Sequence, residues 1–200
     1  MAERLQTLDD AELVILARDG HLAAFNCLVG RWEGSLYAFA RRMLGDSEEA
    51  RDVCQEALVR VWTHLGRLRE PDRFRPWAHH IVLNLCRDRH RSRRSRGRAE
   101  EYIEGEPAEL RLVENVRTPG SPAADAHVAG LGEAVEKALG SLPAEQRAAI
   151  LLREYHGFTA EEIATMSGVP AATVRTRIFY GLRSVRRTLA ARGITASGLG

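Results

Sequence analysis

The stretch TAEEIATMSGVPAATVRTRIFYGLRSVRR, Thr159–Arg187, reads as two helices folded back on one another at a glycine. Thr159 with Glu162 three residues later predicts a capping box, in which each side chain takes an amide left without a partner at a helix start. Ile163 and Ala164 are expected to face inward, the small Ala164 letting the two helices cross closely. Gly168 supplies the backbone freedom for the turn, and Pro170 suits the first turn of the second helix. There Val174, Ile178, Leu182, Val185 and Leu189 recur at steps of four, four, three and four and predict one buried stripe. The other side carries Thr173, Arg175, Thr176, Arg177, Tyr180, Arg183 and Arg187, donors suited to base edges and phosphates in a major groove. A plain helical hairpin with solvated arginines would show the charges alone. Cap, glycine turn and stripe in register favour a DNA-reading hairpin, of a kind that many regulators share.

Upstream, PWAHHIVLNLCRDRHRSRRS sets Ala78, Ile81, Val82 and Leu85 on one side of a helix and His80, Asn84, Arg87, Asp88 and Arg91 on another. Earlier still, EEARDVCQEALVRVW sends Ala50, Val53, Cys54, Ala57, Leu58, Val61 and Trp62 inward. It leaves Asp52, Gln55, Glu56, Val59 and Arg60 exposed, an acid, amide and valine surface of the kind that meets a protein. Apolar residues keep helical spacing from about Asp9 to His90, with breaks at Gly20, at Gly45 before an Asp46/Glu49 capping box, and at Glu70-Pro71-Asp72, which predicts about four helices. Periodicity fades over 96–128, where Gly97, Gly105, Pro107, Pro119, Gly120 and Pro122 gather among glutamates, and this stretch is expected to be a flexible linker. It returns at Leu131, Val135 and Leu139 and breaks at Ser141-Leu142-Pro143. The fold class is all-α: one helical domain over 1–95, a second over 129–192, and a tail over 193–200.

The 200 residues are 44% hydrophobic, enough for buried cores, and no apolar run approaches the length needed to span a bilayer. No membrane insertion is expected, and the N-terminal MAERLQTLDDAE lacks a secretory pattern, so the expected location is cytoplasmic. Cys27, Cys54 and Cys86 are odd in number and widely spaced, which argues against disulfides or a zinc knuckle. Cys86 and His90 share a helix face without a further ligand pair, so no metal or cofactor is expected. The net charge of +2 hides a basic run, Arg87–Arg98, with seven arginines, followed by the acidic AEEYIEGEPAEL. An enzyme is disfavoured, since no phosphate loop, nucleophile motif or metal spacing is present and no catalytic residue can be named.

The three stretches, in this order about a linker, resemble the extracytoplasmic-function class of bacterial sigma factors, and the likeness covers nearly the whole chain. It implies a region two over about Ala24 to Ser95 and a region four over about Leu131 to Arg192. It also implies a subunit that binds RNA polymerase core, selects promoter DNA and helps open it, and that answers to an anti-sigma factor. Carried over by position, Asp52, Gln55 and Glu56 would meet the polymerase. Asn84, Arg87, Asp88 and Arg91 would engage the minus-ten element, with Phe74 and Trp77 as aromatic candidates for an unstacked base; Trp77 reads first as a core residue. Thr173, Arg175, Thr176, Arg177, Tyr180 and Arg183 would read the minus-thirty-five element. His79 and His80 stand where many relatives carry an aromatic or apolar pair. The rival from another class is a self-sufficient regulator, a sensor domain with a hairpin output that binds operators as a dimer.

Overall fold

The computed structural model describes residues 2–101 and 124–194, with side chains at 5–93, 95 and 130–194. All regular structure among the described residues is helical. The chain divides into two units, one of Met1–Ser92 with Thr165–Gly168 and one of Arg93–Ala164 with Val169–Gly200.

The first unit comprises α1 (Ala2–Thr7), α2 (Asp10–Arg18), α3 (Leu22–Leu44), α4 (Ser47–His64) and the part of α5 (Phe74–Glu101) up to Ser92. Five helices therefore stand where the sequence pattern predicts four, because α1 precedes the first periodic residues. Asp9 caps α2 through a box of its own, Glu12 N–H donating to Asp9 Oδ1 at 2.8 Å and Asp9 N–H to Glu12 Oε2 at 2.9 Å. At the end of α3, Gly45 takes a left-handed φ of 75° and its N–H donates to Arg41 O, which closes the helix. The next residue, Asp46, accepts Glu49 N–H at 2.9 Å and starts α4, so the chain reverses over two residues whose chemistry suits each half of the turn. Two 3₁₀ turns, Leu65–Arg67 and Pro71–Arg73, lead into α5.

The unit's core joins Leu13 and Val14 of α2, Leu28, Leu36, Phe39 and Met43 of α3, Val53, Ala57 and Val61 of α4, and Val82, Leu83 and Cys86 of α5, all 1% exposed or less. Each large side chain among them contributes about 1.5–3 kcal/mol on leaving water. Burial pushes the Cys54 thiol up to about 11 and Cys86 to about 12, so both are neutral, inert packing groups at neutral pH. His90 Nε2 lies 3.1 Å from Met43 O, a backbone partner rather than a metal partner for Cys86. Leu58 and Trp62 are exceptions to the predicted inner face of α4. Leu58 is half-buried and Trp62 is 41% exposed, resting on Phe25 with ring centroids 4.7 Å apart.

The second unit comprises α6 (Ala124–Gly140), α7 (Ala144–Ile150), which continues as a π-helical turn over Leu151–Tyr155, then α8 (Ala160–Ser167) and α9 (Ala171–Ala190). The wide turn, closed by His156 N–H to Leu151 O at 3.2 Å, keeps Leu151 and Leu152 both fully buried. Helical backbone extends beyond 95 to Glu101 and resumes at Ala124, so both ends of the stretch expected as linker are helical. Arginine, glutamate and alanine there have high helix propensity, which outweighs the single Gly97. The remainder of the expected linker, 102–123, and the tail from 195 lie outside the described residues. No described helix is long and apolar enough to cross a membrane.

Candidate nucleic-acid interface

The hairpin of α8 and α9 forms as its residues dictate. Thr159 N–H donates to Glu162 Oε2 at 2.8 Å and Glu162 N–H donates to Thr159 Oγ1 at 3.1 Å, a complete capping box. Gly168 turns the chain at φ 67°, where a side chain would be strained. Pro170 is the N-cap of α9 rather than a first-turn residue, and its carbonyl accepts the N–H groups of Thr173 and Val174. Ile163 is fully buried, whereas Ala164 is only half-buried. The close helix approach falls instead at Gly181, where an added Cβ would stand 2.6 Å from Ile150 Cδ1.

With about 100° between successive residues, Thr173, Thr176, Tyr180, Arg183 and Arg187 share about 80° of the α9 surface. All five are exposed. Arg175 and Arg177, two residues apart, point about 160° from one another and lie beyond opposite edges of that face. Arg175 ion-pairs with Glu161 at the start of α8. Arg177 is turned toward α7, its Nη1 2.9 Å from Glu145 Oε2, and is only 23% exposed, which departs from its expected place on the open reading face. Leu182 is 40% exposed and leaves the predicted stripe, because the buried line of α9 runs through Val174 and Gly181. Phe179, 62% exposed and edge-on to Tyr180 at 5.3 Å, joins this surface without having been expected from the sequence. Its signal was an aromatic ring off the apolar stripe.

On α5 the residues Trp77, His80, Asn84, Arg87, Asp88 and Arg91 fall within about 100° of arc. Trp77 is thus on the polar face and half-buried, not in the core. Phe74 is 3% exposed, which leaves no ring face for a base; it backs Trp77 at a centroid distance of 6.2 Å. Arg91 pairs with Asp88, and Arg87 Nη1 lies 3.5 Å from Asn84 Oδ1. Burial, and then the neighbouring Arg87 charge, lower the pKa of His80 from its ordinary 6.5, so at neutral pH it presents an uncharged ring. His79 is fully buried between Trp32 and Phe39, with centroids 6.3 and 6.0 Å away, and its Nδ1 is 2.9 Å from Arg75 O. That bond requires Nδ1 to carry the proton, and the first histidine of the pair is therefore a core residue.

The outer face of α4 presents Asp52, Gln55 and Val59, the last 62% exposed, with Trp62 at its edge. Glu56 flanks them, but its carboxylate is already taken by Arg60 of the same helix at 2.7 Å and by Arg89 of α5 at 3.4 Å. The arginine run that follows Arg87 continues along α5. Its side chains at Arg94, Arg96 and Arg98 lie outside the described ones. Among the described residues no cluster of three or more histidine, cysteine or acidic groups is arranged to hold a metal.

Known proteins carry the same two modules. Residues 28–96 match the family described as sigma-70 region 2, and residues 132–185 the family described as sigma-70, region 4. The RNA polymerase sigma-H factor of Pseudomonas aeruginosa is 28% identical over 184 residues, 90% of this chain and 93% of that one. The ECF RNA polymerase sigma factor SigL of Mycobacterium tuberculosis is 33% identical over 164 residues, 80% of this chain and 85% of that one. In a solved complex with the cytosolic domain of CnrY, CnrH is 26% identical with a TM-score of 0.64, over 91% of this chain and 97% of CnrH. RpoE of Bartonella quintana, solved with the anti-sigma factor NepR, shares the fold at 23% identity and the same TM-score, over 83% of this chain and 96% of that one. Two matched modules in the order region 2, region 4, together with a relative 33% identical along most of both chains, make the chain a member of the ECF sigma factors of the sigma-70 family, RNA polymerase subunits of transcription initiation and not enzymes.

Proposed function

We propose that three faces divide the work of initiation. The α4 face of Asp52, Gln55, Val59 and Trp62 docks polymerase core, with Glu56 bracing it from the side. The α5 face of Trp77, Asn84, Arg87, Asp88 and Arg91 engages the minus-ten element. There Trp77, backed by Phe74, offers a ring to a base leaving the stack, an interaction worth about 1–3 kcal/mol. The arginines that follow it on α5 neutralise the phosphates of the opened strand. The α9 face of Thr173, Thr176, Tyr180 and Arg183, flanked by Arg175, reads the minus-thirty-five element in the major groove, while Arg177 steadies the helix against α7. The domain division at 1–95, 96–128 and 129–192 follows the same reading, with the tether spanning the two promoter elements.

The observation that carries this assignment over a self-sufficient regulator is the α4 face, where a valine 62% exposed and a tryptophan 41% exposed stand beside an acid and an amide. An apolar centre with a polar rim is the composition of a protein contact. CnrH, which shares the fold, is held by the cytosolic domain of CnrY. By extension this chain answers to an anti-sigma factor that covers the polymerase-binding surface, and it works in the cytoplasm where polymerase is. The test is co-elution of the purified chain with bacterial core polymerase and start-site-specific transcription by the mixture. Val59→Arg should weaken association with core by about tenfold or more, the effect of losing one central contact. Operator binding as a dimer, with indifference to core, would establish the rival.

A further inference from the structure

We infer that Glu161 is a positioning residue for Arg175 and thereby sets part of the promoter discrimination of α9. The inference rests on the reading of α9 as the DNA-contacting helix. Arg175 leaves the flank of that face and its Nη2 meets Glu161 Oε1, across the turn from the first turn of α8. Both side chains are open to solvent, 61% and 65% exposed, so the pair is not a packing device. Glu145 with Arg177 makes the contrast. There the arginine is 23% exposed and the carboxylate comes from α7, so that pair fastens α9 to its own unit.

An arginine without a directing partner is a long, mobile cation that any phosphate attracts, which strengthens binding to every duplex alike. A carboxylate at one corner of the guanidinium changes that in two ways. It cancels much of the undirected attraction, and it holds the planar fork at one orientation, so that the remaining N–H donors face a base edge as a set. Specificity is a difference of affinities, and weakening the competitor serves it as well as strengthening the target. A bidentate arginine–guanine contact depends on that orientation. The Thr159/Glu162 box fixes the start of α8 and so the backbone from which Glu161 projects, near the positive end of that helix, where a carboxylate is favoured.

The test is selection of duplexes by reconstituted holoenzyme from a library randomised across the minus-thirty-five element, with wild type, E161Q, E161D, R175A, E145Q and the E161Q/R175A double variant. Expected for E161Q is a loss of about fivefold or more in preference at one or two adjacent base pairs, the scale of one lost bidentate contact. Affinity for unselected duplex should rise at the same time. E161D should recover part of the preference, R175A should flatten the same positions, and the double variant should match R175A. E145Q should change thermal stability and not base preference. Wild-type preference in E161Q at the positions that R175A alters would overturn the positioning role while leaving α9 as the reader. No change in either variant would instead remove Arg175 from the reading surface, and this inference with it.

Discussion

Arg147 shows how much a single side chain can carry out of sight of the sequence pattern. In LPAEQRAAI it sits among polar neighbours and looks like a solvated residue at the start of a helix. In the structure it is 9% exposed, with Nε donating to Leu139 O at 2.9 Å and Nη2 to Leu142 O at 3.2 Å and to Gly140 O. Leu139 and Gly140 close α6 and Leu142 lies in the turn that follows, where Leu139 O also accepts the Leu142 N–H at 3.1 Å, and the planar fork spans all three carbonyls. Burial pulls the Arg147 pKa down, yet a guanidinium stays charged in a protein, and its bonds are therefore charge-assisted. Arg147→Met keeps the apolar stem and removes every donor. Chemical denaturation should register a loss of about 2–4 kcal/mol, the cost of taking a charged donor away from three carbonyls of which Leu139 O alone keeps a backbone amide, and a loss under about 1 kcal/mol would show that water replaces the guanidinium. The burial of Arg147 depends on where a distant helix ends, which spacing along the chain does not encode. The same holds for His79, whose aromatic neighbours Trp32 and Phe39 come from another helix.

Helices were readable where one chain segment supplies both the signal and the partner. The Thr159/Glu162 box and the Gly168 turn are local chemistry and appear as predicted, and of the Asp46/Glu49 box the Asp46 half is seen, its side chain accepting the Glu49 N–H. The Asp9/Glu12 box is equally local and was available in the sequence. The faces of the helices were readable less completely, because the inner arc depends on what lies opposite. Leu182 belongs to an apolar series by count, yet α9 turns Gly181 toward α7 and leaves Leu182 40% exposed. A glycine inside a 20-residue helix costs about 1 kcal/mol against alanine. What it permits here is contact with Ile150 and Gln146, whose atoms stand 2.6 to 3.5 Å from the place a Cβ would take. Gly181→Ala is a near balance, with propensity gained and the end of Ile150 displaced. Gly181→Val puts two more carbons into the same buried gap. It should lower stability by about 1–3 kcal/mol through overpacking, measured by thermal unfolding of the full chain. Stability unchanged in Gly181→Val would mean that α9 slides on α7 without cost, contrary to the Arg177–Glu145 tie beside it.

Two small DNA-binding modules on one chain gain effective concentration only when both sites are engaged together, so the tether between them bears on how tight a promoter complex can be. The chain's near-neutral total conceals this arrangement, because arginines concentrate on α5 and α9 while acids offset them elsewhere. Only the positions of charge, and not the sum, bear on affinity. If polymerase holds both faces on the duplex at once, each arginine that meets a phosphate releases its own counterions, and the losses from removing two of them add. Arg91→Gln on α5 and Arg183→Gln on α9 should each lower the slope of log K against log salt by about 1 for holoenzyme on promoter DNA, and the pair together by about 2. If the free chain engages one face at a time, the double variant should change its slope by no more than the larger single change. Additivity in holoenzyme without additivity in the free chain identifies core polymerase as the spacer. Equal additivity in both would mean that the chain sets the separation of its two faces without polymerase.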